Sequence, residues 1–281
     1  FPQASLAVLY GGSPHRFETG GLTLATTHQL IRFREAFDLV VIDEVDAFPY
    51  HNDPMLQFAG ANARAARGIM VLLSATPPAA MQREVRRRRL PSARVSVRYH
   101  GRPLPIPARL NVPSISRWAH RSAIPAQLEG AIRRSAGRGA QIFMFVPYIR
   151  QVEPLVQCLR RNAGKLGLDP EAISGTSSQD PERSGKVIAF RGRDIRLLVT
   201  TTILERGVTI PKSDVFVLDA DKPLFDAASL VQMAGRAGRS ADDPDGLVYF
   251  AAPAWTASQR EACRQIREMN HEAKKKGYLA K

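Results

Sequence analysis

The sequence predicts an α/β fold of two domains, each built on a parallel sheet flanked by helices. Three observations predict it. Short apolar runs alternate with helical stretches through both halves of the chain, the rhythm of parallel strands and crossover helices. Leu39-Val40-Val41-Ile42 is apolar without a break, as expected of a parallel strand covered on both faces. The length of 281 residues suffices for two ordinary domains, each with its own core.

The elements follow in order. Leu6 to Tyr10 reads as a short strand ending in Gly11-Gly12, and Leu22 to Ala25 as a second. Thr26-Thr27 then opens a helix through Gln29, Leu30 and Phe33. After the strand at 39–42, Met55 to Ala66 is helical and Ile69 to Leu73 is another buried strand, closed by Ser74-Ala75-Thr76-Pro77-Pro78. Gly101, Pro103, Pro105, Pro107 and Pro113 suit neither helix nor central strand and read as the interdomain connection. Ile142 to Val146 is a strand, followed by a helix through Val152, Leu155, Val156 and Leu159. Ile195 to Thr200 and Val215 to Leu218 are strands, a helix carries Leu230 to Arg239, and Leu247 to Phe250 closes the sheet. Ser258 to Gly277 is an amphipathic helix with Ala262, Ile266 and Met269 on one side. The expected boundaries are 1–112 for the first domain with its linker and 113–281 for the second.

Composition narrows the function. An apolar fraction of 44% with 23% charged residues is that of a soluble globular protein. The formal charge of +14 favours a polyanionic partner, nucleic acid or an anionic membrane surface. Cys158 and Cys263 are isolated, which argues against a zinc site or a disulfide framework. No apolar run is long enough to span a bilayer. The chain opens at Phe1-Pro2-Gln3 without an initiator Met and reads as a fragment.

Two distant segments carry the chemistry. Asp43-Glu44-Val45-Asp46 comes directly after an apolar strand, and ligand sites of open α/β sheets lie beyond the carboxyl ends of strands. One carboxylate there, with a nucleotide's phosphates and water, can satisfy a magnesium ion, and a second can orient or deprotonate a water. The competing reading is a solvated acidic turn. Ser74 and Thr76 come after the next strand and are placed to hydrogen-bond Asp46; a helix N-cap at Thr76 is the ordinary alternative. Gln232, Arg236 and Arg239 are spaced i, i+4, i+7, which on one helix shares a face. Guanidinium groups there bind phosphate oxygens and offset charge in phosphoryl transfer. A solvated basic face would not account for Ala234, Gly235, Ala237 and Gly238, which permit close backbone approach. Thr200 to Thr209, with Gly11, Gly12, Ser13, Thr26 and Thr27, offers hydroxyls and backbone N–H groups suited to phosphate. Arg86 to Arg89 reads as a helix end with a solvated basic face, and Lys274 to Lys276 likewise.

Taken together these segments resemble the superfamily 2 helicases, and among them the ComFA-type late competence family. Asp43 to Asp46 resembles motif II, Ser74 to Thr76 motif III, Phe145-Val146-Pro147 motif IV, Thr200 to Thr209 motif V and Gln232 to Arg239 motif VI. The competence resemblance rests on Ala25 to Leu30, Asp43 to Tyr50 and Thr200 to Thr209. It implies two RecA-like domains, the first carrying motifs Ib, II and III, with ATP between them and single-stranded DNA across their top. It implies a cytoplasmic ATP-driven motor at the inner face of the membrane, working with other competence proteins at a membrane channel. By carry-over Asp43 holds Mg2+ through water and Glu44 is the catalytic base. Gln232, Arg236 and Arg239 meet the γ-phosphate and attacking water. Gly207, Thr209, Ser74, Thr76 and Asp46 belong to the nucleotide site, and Gly11, Gly12, Thr26, Thr27 and Thr201 to the DNA backbone. A primosomal DNA helicase, an RNA helicase and a non-catalytic nucleic-acid-binding fragment are the rivals.

One departure stands out. The family's phosphate loop, G-x-x-x-x-G-K-S/T, occurs nowhere in the chain. Gly137-Arg138-Gly139 is short, lacks the Lys and falls in the second half. The expectation is an N-terminally truncated sequence with an incomplete first domain, weak ATP binding and little turnover on its own.

Overall fold

The computed structural model describes residues 2–15, 18, 20–121, 123–201 and 210–280. They form two compact units, Phe1–Ala93 and Arg94–Lys281.

In the first unit β1 (Leu6–Leu9) pairs in parallel with β2 (Leu22–Ala25). A separate parallel pair joins β3 (Phe37–Ile42) to β4 (Arg64–Leu72) through helix α1 (Pro54–Ala63). Asp53 starts α1: its carboxylate accepts the Met55 and Leu56 N–H groups at 2.9 and 3.2 Å, and Pro54 needs no such partner. The helix stops at Ala63, short of the expected Ala66, because Arg64 already has extended backbone and begins β4. Val40, Ile42 and Val45 form the buried side of this unit with Leu30, Tyr50, Leu72 and Met81. A Cβ on Gly60 would come within 2.8 Å of Ile42 Cδ1, so the helix lies hard against the strand.

Burial of β3 on both faces does not hold within this unit. Leu39 and Val41 are 56% and 52% exposed. A strand's side chains alternate, α1 covers the face of Val40 and Ile42, and among the described residues β3 pairs with β4 alone. Helix α2 (Ala79–Arg86) leads into the arginine run as expected, with Arg83 and Arg86 in its last turn.

The second unit contains a six-stranded parallel sheet. The strands are β5 (Ala108–Asn111), β6 (Gln141–Phe145), β7 (Ile173–Thr176), β8 (Leu197–Thr200), β9 (Ser213–Leu218) and β10 (Val248–Ala252), arranged β5-β10-β9-β6-β8-β7. The segment read as a connection thus supplies the edge strand β5, with Pro107 and Pro113 just outside it, where no ladder N–H is lost. Strand β7 was not expected from the sequence.

Alternation divides the core. Ile142, Met144, Leu197, Val199, Phe216 and Leu218 face helices α3 (Ala126–Gly137), α4 (Val152–Arg161) and α5 (Ala163–Leu166). Phe143, Phe145, Leu198, Val215, Val217 and Phe250 face α6 (Arg183–Gly192), α7 (Ala227–Ala234) and α8 (Ala257–Lys275). Each fully buried Phe or Leu contributes about 1.5–3 kcal/mol. The amphipathic reading of α8 holds: Ala262 and Ile266 are buried, and Met269 packs at the rim of the same cluster. Both cysteines are free and buried.

One ion pair braces the amino ends of this sheet. The Asp214 side chain has no exposed surface and accepts Arg138 Nη1 at 2.6 Å and the Leu247 N–H at 2.7 Å. Arg138 also binds Asp243. Burial holds the Asp214 carboxyl above the usual carboxylate range, while these donors pull it back down. Replacing Arg138→Ala is expected to cost about 3–5 kcal/mol in urea unfolding, because a buried carboxylate loses its cation. Adding Asp214→Asn should recover part of the loss, and an unshifted Arg138→Ala midpoint would refute the brace.

Candidate functional site

Strands β3 and β4 run in parallel, so the segments leaving their carboxyl ends emerge at the same rim. Backbone bonds continue the ladder past those ends: Leu73 N–H donates to Ile42 at 2.9 Å and Val45 N–H to Leu73 at 3.1 Å. This brings 43–46 beside 74–76. The Asp46 carboxylate accepts Ser74 Oγ on one oxygen at 2.6 Å and Thr76 Oγ1 on the other at 2.8 Å. Ser74 Oγ in turn accepts the Thr76 N–H at 3.0 Å. The expected link between these segments is therefore formed. The N-cap alternative for Thr76 is not: α2 begins after Pro78.

Asp43 is exposed at the end of β3 and accepts the Glu44 N–H at 2.9 Å. Glu44 is half-buried with φ 52°, a left-handed conformation unusual for a residue with a Cβ. Such a conformation costs on the order of 1–3 kcal/mol and persists where neighbours hold it; here the Asp43 bond before it and the Val45–Leu73 bond after it do so. The result is two adjacent carboxylates at this rim, one exposed and one half-buried. Among the described residues no three His, Cys, Asp or Glu side chains cluster as a metal cage. The oxygen chemistry of Asp43 fits a magnesium ion that takes its other ligands from phosphate and water.

The carboxyl ends of β1 and β2 gather Gly11, Gly12, Thr26 and Thr27. The glycines turn the chain after β1, with Gly12 at φ 88°. The Thr26 N–H donates to Leu9 at 3.0 Å, placing Thr26 where β2 ends. Thr26 is exposed, and the helix expected here forms as a short 3-10 helix, Thr27–Arg32.

In the second unit the single helical face for Gln232, Arg236 and Arg239 needs correction. Helix α7 ends at Ala234, so only Gln232 lies on it. Arg236 and Arg239 lie beyond, where Gly235 caps the helix and Gly238 turns the chain at φ 62°. The close approach expected of the small residues is real. A Cβ on Gly238 would fall 2.3 Å from the Pro244 carbonyl oxygen, and one on Gly246 at 2.3 Å from the Gly238 nitrogen. All three side chains are half-buried. Helix α7 runs back from the end of β9, so this turn lies at the amino end of that strand: Ser213 Oγ donates to the Arg236 carbonyl at 2.9 Å. Thr201, just after β8, is buried at 5% exposure. Gly207 and Thr209 lie outside the described residues.

Sequence reasoning missed Arg98. Its guanidinium donates to the Gly235 carbonyl at 2.9 Å and the Ala237 carbonyl at 2.6 Å, and also to that of Gly238. Burial, with the Arg239 charge nearby, lowers it to about 10. It braces the arginine-bearing turn from just ahead of the proline-rich stretch, and no local pattern announces a contact this distant in sequence. Asp219 was missed too. It stands after the apolar run of β9 as Asp43 stands after β3, so the same rule could have found it.

Comparison with known proteins supplies the family context. Residues 123–241 match the helicase conserved C-terminal domain. The chain is 38% identical over 275 residues to competence protein ComFA of Bacillus subtilis (strain 168), covering 98% of this chain and 58% of that protein. It is 37% identical over 268 residues to competence protein ComFA of Streptococcus pneumoniae (strain ATCC BAA-255 / R6), covering 95% and 61%. The chain thus spans about three fifths of the length of these relatives. Among solved structures it is similar to S. cerevisiae Dbp5 bound to RNA and ADP BeF3, with a TM-score of 0.60 and 16% identity, covering 94% of this chain and 67% of that one. It is also similar to Mycobacterium smegmatis helicase Lhr bound to ssDNA and AMP-PNP, with a TM-score of 0.59 and 18% identity, covering 95% and 37%. At such identities these likenesses establish the RecA-like α/β fold.

Arg98→Ala removes donors from three carbonyls at once, leaving His100 Nε2 on that of Gly238 at 3.2 Å, and is expected to destabilise the second unit by about 2 kcal/mol. Arg98→Lys should recover less than half, since an ammonium cannot reproduce the planar fork. Urea unfolding of the chain reads both, and equal midpoints for Lys and Arg would show that the fork is dispensable.

Proposed function

The chain is a superfamily 2 helicase sequence of ComFA-like type, and on that premise we propose that the whole protein is an ATP-driven motor. It moves along single-stranded DNA, and its work is the uptake of transforming DNA during competence. The observation that carries this reading is the Asp46 carboxylate holding Ser74 and Thr76 beside Asp43 and Glu44. A bare acidic turn needs no such partners, whereas a site that must report its occupancy to the rest of the unit does.

Each residue then has a task. Asp43 holds magnesium through water, and the ion when bound offsets charge on the phosphates. Glu44 orients and deprotonates the attacking water. Asp46 passes the state of that rim to Ser74 and Thr76, and so to the segment leading into α2. Gln232, Arg236 and Arg239 contact the γ-phosphate and the attacking water, with Arg98 keeping their turn rigid. Gly207 and Thr209 complete the nucleotide site. Gly11, Gly12, Thr26, Thr27 and Thr201 follow the phosphodiester backbone, assisted by the net charge of +14. No phosphate loop occurs in these 281 residues, so ATP turnover is assigned to the whole protein. Among the described residues no helix is long and apolar enough to cross a membrane. We place the motor in the cytoplasm, at the inner face of the membrane with other competence proteins.

In the whole protein, Glu44→Gln is expected to lower single-stranded-DNA-stimulated ATPase by roughly 10²–10⁴-fold, the usual contribution of a general base. Binding of DNA in the presence of ATP should persist. Undiminished turnover would remove Glu44 from the role, and stronger stimulation by RNA than by DNA would favour a different superfamily 2 activity.

A further inference from the structure

The six-stranded sheet holds a crevice that adjoins motif IV at Tyr148 and that none of the roles above uses. Strand β6 sends the chain to α4 on one face, while its neighbour β9 sends it to α7 on the other. Adjacent parallel strands whose connections part in this way open a gap beyond their carboxyl ends, the place where open α/β sheets bind ligands. A cavity of about 410 Å³ lies there, lined from the segments after β5, β6 and β9.

Asp219 builds it. This residue, 2% exposed and at φ 50°, ends β9. One of its carboxylate oxygens accepts the Ile115 N–H at 3.1 Å; the other accepts Ser114 Oγ and Gln151 Nε2, both at 3.0 Å. One buried acid thereby ties all three segments, and donors engage both of its oxygens. The cavity walls beside it are basic or hydroxylic: Arg150, Lys222, His120, Ser114 and Ser116. Tyr148 completes the wall, 37% exposed, with the Arg150 guanidinium carbon 4.9 Å from its ring centroid.

An aromatic ring next to a cation, with hydroxyls within the same cavity, matches the needs of a nucleotide in a single strand. The base stacks on the ring, and the guanidinium adds a cation–π contact. The phosphate meets Arg150, Lys222 and the Ser116 hydroxyl, the Ser114 proton being held by Asp219. We propose that this crevice is a single-nucleotide subsite for single-stranded nucleic acid: Tyr148 stacks the base, and Arg150 and Lys222 take the adjoining phosphate. Asp219 is a positioning residue here, acting through Ser114 and Gln151. The proposal rests on the strand-binding reading above and extends it beyond the residues of motifs IV and V.

Fluorescence anisotropy of labelled oligo(dT) binding to the chain, over a salt series, tests it. Tyr148→Ala should weaken binding roughly 5- to 100-fold, the range for loss of one stacked base, and Tyr148→Phe should bind as the parent does. Arg150→Gln and Lys222→Gln should each reduce the slope of log K against log salt by about 0.7. Arg133→Gln on α3, which removes the same charge away from the crevice, should leave affinity near the parent value. If the parent binds oligo(dT) and Tyr148→Ala matches it, the subsite is wrong while strand binding stands. If Arg133→Gln weakens binding as much as Arg150→Gln, diffuse charge explains the effect and the subsite is again overturned. A parent that fails to bind oligo(dT) at low salt overturns both readings. Equal competition by free dTMP would assign the crevice to mononucleotides and overturn the strand assignment.

Discussion

Parallel pairing is the constraint on which the rest depends. Every described strand pair is parallel, so all strands of a sheet end at the same rim and the chain must return along a face before the next begins. The segments after strands are therefore gathered side by side without needing contacts of their own. Asp43 to Asp46 and Ser74 to Thr76 meet for this reason, as do Gly11–Gly12 and Thr26–Thr27. In the second unit the same geometry collects the segments after β5, β6 and β9 around Asp219. The return helix explains the exception: Arg236 and Arg239 come after α7 has run back, and so lie at the amino end of β9.

Buried and half-buried polar groups then decide which of these juxtapositions hold firm. Asp46, Asp214 and Asp219 each accept two or three hydrogen bonds from segments distant in sequence. Arg98 does the converse, supplying donors to three carbonyls. An unsatisfied buried polar group costs about 1–3 kcal/mol, so each network penalises any arrangement that pulls its segments apart. Apolar packing alone would tolerate sliding; these networks tolerate little.

Local strain marks two of the proposed sites and also occurs outside them, at Glu35, Arg88, Arg193 and Lys212. Glu44 and Asp219 both adopt left-handed backbone at the ends of parallel strands, and both have neighbouring hydrogen bonds that hold them there. Gly238 adopts the same region where a side chain would collide with the Pro244 carbonyl. The glycine thus has a steric cause, and the two acids have an electrostatic one.

Much of this was legible in the residues alone. Strands such as Val215 to Leu218, the amphipathic α8 and the sites after β3 and β4 depend on local periodicity and on the residues just past an apolar run, all set by near neighbours in the chain. Other features were not legible, because they depend on partners remote in the chain. A proline-rich stretch became the edge strand β5 only because β10 offered a free ladder. Leu39 and Val41 look core-like by pattern, yet their exposure depends on the cover over the second face. The helix bearing Gln232 ended early because Gly238 must meet Gly246. Local chemistry determined which residues stand at each strand's end; long-range hydrogen bonding and burial decided which of them meet.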